Sequence, residues 1–389
     1  MTRAVTIPYA QSTDPNHAQQ GIPRGKRLTP QTQRGGPVRG RRNVCAPVPV
    51  DEVMTSLAGL PLSVLDLATV YSGMAPSTAL AQTIDTAVQA ESLGYNRFWV
   101  AEHHGMVAVA SSAPAVLIGA IAAATSTIRV GSGGVMLPNH SSLVIAEQFG
   151  TLVALHGDRI DLGLGRAPGT DQLTSAVLRR NVGTETVDDF PQQVIELLAW
   201  FGTIDPLENG IGSRIVAMPG LGDSPEMWLL GSSGYSAQLA GMMGLPFAFA
   251  HHFAGGDNTP VAFEIYRNHF TPGAVLAKPH SMVAVGAVVG DDAAEAERLA
   301  GPYGLFSTRL RTGRPGQVPS LEESEAHDWT FAEKAFVAER NAHQAVGDAD
   351  FVRTRITELV ASTGADEVIV VPQSAGQESK LRTLRDIVA

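Results

Sequence analysis

The 389-residue sequence has one cysteine, little charge and no long uninterrupted apolar run. A lone thiol, Cys45, excludes an intrachain disulfide and any cysteine-based metal cluster. The apolar runs are broken by Gly, Pro or polar residues well before the ~18 residues that a membrane span needs, so no membrane helix is expected. The first fifty residues contain no apolar stretch of the kind that a secretory signal carries, and the expected location is cytoplasmic. Charged residues make up 17% and sum to −10, which argues against a general nucleic-acid binder. What is present is length and apolar content: 44% of residues are hydrophobic, enough to bury a large core.

The charge is unevenly placed. Residues 1–50 hold eight basic groups and one acid, a net +7, which leaves 20 basic and 37 acidic groups, −17, in the rest. Residues 1–55 also contain seven prolines and five glycines. Such a segment buries too little surface to offset chain entropy, so a disordered basic tail is expected over 1–55. Met54 stands just before the structured pattern begins, and a start there would remove the tail. A folded domain is expected over 56–389.

From residue 61 apolar strands alternate with amphipathic helices. Strands are expected at 61–67, 97–101, 128–130, 159–164, 226–230, 246–250, 280–289 and 368–371. Between them lie helical patterns: one capped by Ser77, an alanine-rich one at 113–124, and others at 141–155, 171–202, 232–243 and 257–270. An acidic helix follows Asp291, and a terminal helix carries Leu381, Leu384 and Val388. Near-continuous apolar strands imply a parallel sheet covered by helices. Eight strand–helix units predict a (β/α)₈ TIM barrel with an insertion, over 301–347, before the last βα unit. A doubly wound sheet is the competing fold.

In such a barrel the chemistry sits at the C-terminal strand ends. Those positions carry Asp66 and Tyr71, then Glu102, His103 and His104, then Gly133, Gly134, Asn139 and His140. Next come Arg166 and Asp171, then Ser232, Ser233 and Ser236, then His251 and His252. His103 and His104 are strand neighbours and point to opposite faces, and no HExxH motif accompanies them, so no metal site is expected. One of the two histidines is expected to pack under the rim beside Glu102 while the other enters the mouth as an acid/base or hydrogen-bond donor. Gly163, Gly165 and Gly169 have GxGxxxG spacing with Pro168 inside it, which does not fit a dinucleotide fingerprint. Arg166 at a strand end suits a phosphate. Ser232, Ser233 and Ser236 open a helix whose N–H groups favour an anion, although an ordinary N-cap uses the same residue type. At Gly133-Gly134 a flat ring can approach the backbone closely.

These residues bring in a family. The segments FWVAEHH (98–104), VGSGGVMLPNH (130–140), IAEQFG (145–150), RIDLGLGR (159–166), WLLGSS (228–233) and GLPFAFA (244–250) occur in order at barrel spacing. Residues 61–389 resemble the bacterial luciferase-like, flavin-dependent monooxygenases, and a subgroup of small single-chain members in particular. The resemblance implies reduced FMN and O₂ as co-substrates, a separate NAD(P)H:flavin reductase, and oxygenation of a small organic substrate through a flavin C4a-peroxide. It implies that His103 stabilises or protonates the flavin–oxygen adduct. Gly133 and Gly134 line the isoalloxazine ring, in some members through a cis peptide, and Arg166 with Ser232, Ser233 and Ser236 holds the phosphate. Glu102 and Asn139 lie in the same motifs and join the cofactor-binding set. Family members often form homodimers. Luciferase itself has a reactive cysteine beside the phosphate arginine where this sequence has Gly165, so light emission is not expected.

Three other readings stay open at this point. One is a deazaflavin-dependent oxidoreductase that transfers hydride without O₂. Another is a flavin-binding protein without turnover. The third is a function for the basic tail on an acidic partner. The substrate is not legible.

Overall fold

The computed structural model describes residue 57 and residues 59–179, 189–205, 215–254, 256 and 258–389. The expected tail over 1–55, and the middle of the expected helical region 171–202, lie outside them.

Nine parallel strands form the sheet: β1 (Leu62–Asp66), β2 (Arg97–Val100), β3 (Arg129–Met136), β4 (Ile160–Gly165), β5 (Glu226–Gly231), β6 (Phe247–Phe249), β7 (Ser281–Val289), β8 (Ala345–Gly347) and β9 (Glu367–Pro372). Hydrogen bonding runs β6-β5-β4-β3-β2-β1-β9-β7, and a β6–β7 pairing closes the ring. Eight strands therefore make a TIM barrel. The ninth strand, β8, pairs only with the end of β7, Ala287 opposite Ala345, outside the ring. Closure leaves the eight ring strands without a free edge.

The strand alternation builds two apolar layers. Leu65, Trp99, Trp228, Ala248, Met282, Ala284 and Ile369 point inward and fill the barrel. Their neighbours Val64, Phe98, Leu229, Phe247, Val283 and Val368 point outward under the helices. Beneath the inner layer, at the N-terminal strand ends, a buried ion network forms a floor. Arg97 bridges Asp161 (2.9 Å), Glu226 (3.0 Å) and Glu367 (3.0 Å), and His280 Nε2 meets Glu367 at 2.8 Å. Burial alone would raise the Glu367 pKa; Arg97 and His280 hold it down at about 2.

Two sequence expectations are corrected. The first helix, Pro76–Ser92, is not capped by Ser77; Ala75 is the N-cap and Pro76 opens the helix, because its fixed φ and missing N–H suit that position. The insertion begins earlier than residue 301. One helix, Ala293–Arg311, runs straight through Pro302, because buried Ala296, Leu299, Ala300, Tyr303 and Leu305 give it an apolar stripe that outweighs the ~3 kcal/mol cost of an internal proline. Two short helices, Leu321–Glu325 and Phe331–Ala342, lead from it to β8, and helix Ala349–Thr363 then takes the ring position before β9. All of this follows β7, so the insertion is a βα connection on the C-terminal side of the barrel. Among the described residues no helix is long and apolar enough to cross a membrane.

Candidate active site

The inner layer does not fill the barrel to its top. A cavity of about 1140 Å³ opens at the C-terminal mouth, and every ring strand contributes a lining residue. Leu65, Trp99, Ala284 and Ile369 lie at its base, and Tyr303, Phe306 and Arg340 of the insertion form one wall. Ligand pockets for one drug-sized molecule measure roughly 300–1,000 Å³. The mouth therefore has room for a cofactor and a second molecule.

The end of β2 sends Glu102 and His104 one way and His103 the other. Glu102 is fully buried beneath the rim. Its Oε1 accepts hydrogen bonds from His104 Nε2 (2.8 Å) and His140 Nε2 (2.7 Å), and its Oε2 from the backbone N–H of Met136 (3.3 Å). Burial would raise its pKa, and the two imidazole hydrogen bonds outweigh that and lower it. Glu102 therefore ties the end of β2 to the end of β3. It does not line the cavity. Glu102, His104 and His140 bring ligand atoms within 4.8 Å of one another, a grouping that could hold a cation, and the hydrogen bonds to the carboxylate account for it without one.

His103 turns the other way and lines the cavity. Its Nδ1 sits 3.0 Å from the carbonyl oxygen of Gly169. A carbonyl only accepts, so Nδ1 carries the proton and Nε2 is left with a lone pair in the neutral ring. Burial lowers the His103 pKa and favours that neutral form, against the opposing effects of the Gly169 carbonyl and Glu102. Gly169 has φ +64°, where a Cβ would also lie 2.9 Å from Met136 Cγ and 3.1 Å from the Glu102 carbonyl oxygen. The carbonyl that orients His103 is thus presented by a position that needs glycine.

Three residues before Gly169, Arg166 leaves the end of β4 and lies 4.1 Å over the ring of Tyr235. Among the described residues it makes no ion pair. Ser232 and Ser233 are exposed at the start of helix Gly234–Met243, and the N-cap Ser233 makes no side-chain capping bond. The first-turn N–H groups are therefore not covered by their own cap. Ser236 is admitted by Gly231, where a Cβ would fall 2.4 Å from the serine Cβ. Arg166, Ser232, Ser233 and Ser236 all line the cavity. An unpaired guanidinium, three hydroxyls and an open helix N-terminus fit a phosphate.

The Gly133–Gly134 peptide is cis, and both glycines line the cavity. A Cβ on Gly134 would lie 2.7 Å from the Gly163 carbonyl oxygen, and one on Gly133 2.8 Å from Leu65 Cδ1. The backbone contact already requires glycine at position 134, while a Cβ at 133 would have to displace the Leu65 side chain.

The remaining sequence candidates have structural work. Asn139 donates to the Pro168 carbonyl (2.8 Å), accepts from Arg179 Nε (3.3 Å) and does not reach the cavity. Asp66 pairs with Lys380 at 2.7 Å, and the Tyr71 hydroxyl donates to the Ser374 carbonyl at 2.6 Å. Asp171 caps helix Gln172–Leu178. His251 Nδ1 meets Thr259 Oγ1 at 2.8 Å, while His252 lines the cavity. Sequence reasoning missed Tyr303, Phe306, Arg340, Gln344 and Gln373. For the first four, the position of the insertion after a ring strand was the available signal, since such a connection must lie on the mouth side; Gln373 follows β9.

The profile of the luciferase-like monooxygenase family matches residues 60–367. A luciferase-like monooxygenase of Escherichia coli (strain K12) is 44% identical over 324 residues, covering 83% of this chain and 95% of that protein. The crystal structure of apo-MsnO8 superposes with a TM-score of 0.77 at 37% identity, covering 85% of this chain and 96% of that one. The fold is also shared, at TM-score 0.64 and 21% identity, with the oxygenating constituent of 3,6-diketocamphane monooxygenase from Pseudomonas putida, a type II Baeyer–Villiger monooxygenase in complex with FMN; the coverage is 85% of this chain and 96% of that one. A closed eight-stranded barrel, a mouth cavity and a family match over most of its length lead to one conclusion: the chain belongs to the luciferase-like monooxygenase family.

Proposed function

We propose that this protein is an FMN-dependent monooxygenase that oxygenates a small organic substrate with O₂, supplied with reduced flavin by a separate NAD(P)H:flavin reductase. The observation that carries the reading is the pairing, in one cavity, of a phosphate cradle with an oriented neutral imidazole. When bound, reduced FMN supplies the electrons that activate O₂. The protein's own groups then have separable tasks. Arg166, the three serines and the helix N-terminus hold the phosphate. The apolar base of Leu65, Trp99 and Ile369 keeps water from the reacting centre. His103 Nε2 takes up a proton from the reacting oxygen and returns it later, while the Gly169 carbonyl fixes the ring.

The test is oxygen uptake with a flavin reductase, NAD(P)H and FMN across a panel of aldehydes, polycyclic aromatics and sulfur compounds, with ¹⁸O₂ tracing into product. Substrate-dependent uptake with label incorporation is expected. Turnover with a reduced deazaflavin in the absence of O₂ would replace this reading with hydride transfer. FMN binding with no substrate-dependent uptake would make the protein a carrier.

A further inference from the structure

The cavity has a second cationic wall that phosphate binding leaves unused. Among the described residues the cavity is lined by three arginines, Arg166, Arg311 and Arg340, and by one acid, Glu339. In a chain of net charge −10 this mouth therefore carries more positive than negative charge. Arg166 lies on the β4–β5 side with the serines. Arg311 and Arg340 belong to the insertion after β7.

Arg340 is the unusual member. It ends helix Phe331–Ala342, and among the described residues it makes no ion pair. Its acceptors are neutral amides: Nη1 donates to Asn341 Oδ1 at 3.0 Å and Nη2 to Gln373 Oε1. Arg97, which is buried, engages three carboxylates by contrast. A partly buried guanidinium whose described partners are all neutral keeps its charge uncompensated until an anion reaches it. Burial holds its pKa below the ordinary arginine value, but it stays charged at neutral pH. Arg340 lines the cavity and is only partly buried, so it can be reached from the mouth. Phe306 and Phe336 line the same wall and offer apolar surface beside the charge.

We propose that Arg340, braced by Gln373, is a recognition subsite for a carboxylate carried by the substrate. The substrates would then be organic acids with an aryl or alkyl body. The inference rests on the flavin reading of the cavity, which assigns Arg166 to the cofactor and leaves Arg340 for the second molecule.

The test compares two probes of one shape, 4-phenylbutyrate and 4-phenylbutyramide, by calorimetric titration of the flavin-free and FMN-loaded full chain. The carboxylate is expected to bind roughly tenfold tighter or more than the amide, as a charge-assisted contact implies. Arg340→Gln is expected to erase that preference and to leave FMN affinity unchanged. Equal binding of the two probes by the unmodified protein overturns the proposal, and this comparison needs no variant to fold. A preference that survives Arg340→Gln also overturns it. So does a variant that weakens FMN as much as the carboxylate, because Arg340 would then serve the cofactor. Failure of FMN to bind at all would instead strike the flavin reading, and the flavin-free titration would still report on Arg340.

Discussion

Arg166→Ala separates the phosphate from the ring of the flavin. The guanidinium is half-buried at the mouth and makes no ion pair among the described residues. Its removal therefore strands no buried carboxylate, and the loss reads the ligand contact itself rather than an orphaned partner. A charge-assisted hydrogen bond contributes about 1.5–3 kcal/mol, which is roughly ten- to 150-fold in affinity. The stack on Tyr235 is also lost, at about 0.5–1 kcal/mol for an exposed ring. That loss falls equally on FMN and riboflavin and cancels in their comparison. The serines and the helix N-terminus remain, so FMN binding weakens without vanishing. Fluorescence titration of both flavins measures the difference directly. FMN is expected to weaken by about tenfold or more relative to riboflavin, and the gap is expected to narrow as salt is raised. Parallel weakening of the two would show that Arg166 does not touch the phosphate.

His103→Ala is expected to keep FMN affinity while product yield falls and H₂O₂ release rises; unchanged coupling would remove His103 from the chemistry. Because burial lowers the His103 pKa, the neutral ring persists at and above its ordinary value of about 6.5. Coupled turnover should therefore hold across neutral pH and fall only at an inflection below about 6.5, and an inflection above that value would refute the assignment. In the floor, Glu367 has a depressed pKa, so its contribution is present above the ordinary carboxylate range and is lost as pH falls towards about 2. Glu367→Gln should cost about 3–5 kcal/mol and flatten the acid limb of thermal stability, and an unaltered limb would mean that the network does not supply it. Gly134→Ala must move the Gly163 carbonyl, 2.7 Å from the new Cβ, and should destabilise by about 1–3 kcal/mol in thermal melts. Gly316→Ala, which meets nothing within 4 Å, should stay within about 0.5 kcal/mol, and equal effects from the two alanines would undo the packing argument.

The ring was legible because each of its strands is a short apolar run, and runs such as Val64-Leu65 and Phe98-Trp99 report burial on both faces. β8 was not, since three residues pairing only with the end of β7 have no periodicity to read. The direction of His103 was legible as an alternative: strand neighbours diverge, so one histidine had to go under the rim and one into the mouth. Which of them went where depended on Glu102 finding His140, 38 positions away in sequence. Glu102 and Asn139 share motifs with cavity residues, yet both are occupied by protein partners, since proximity in a motif does not fix the face a side chain takes. Pro302, inside helix Ala293–Arg311, shows the same limit of local signals. A local helix breaker is overridden when the residues around it gain more by burial than the backbone loses.

The two walls of the mouth differ in how their residues are held, and that bears on what can vary. The wall that fits the phosphate is built on ring strands. Gly163 meets Ser132 with a hypothetical Cβ at 2.2 Å, and Gly231 meets Ser236 at 2.4 Å, so the backbone there has no slack. Displacing Arg166 or the serines would require moving β3, β4 or β5 together. Arg340, Phe306 and Phe336 hang instead on a connection outside the ring, tied back through Gln373 and the short β8. Insertions of that kind can change length and sequence without touching barrel closure. A common cofactor site and a variable substrate wall is the arrangement such a scaffold favours. If that is how this mouth is divided, exchanging residues within helix Phe331–Ala342 should redirect substrate choice and leave flavin affinity where it was.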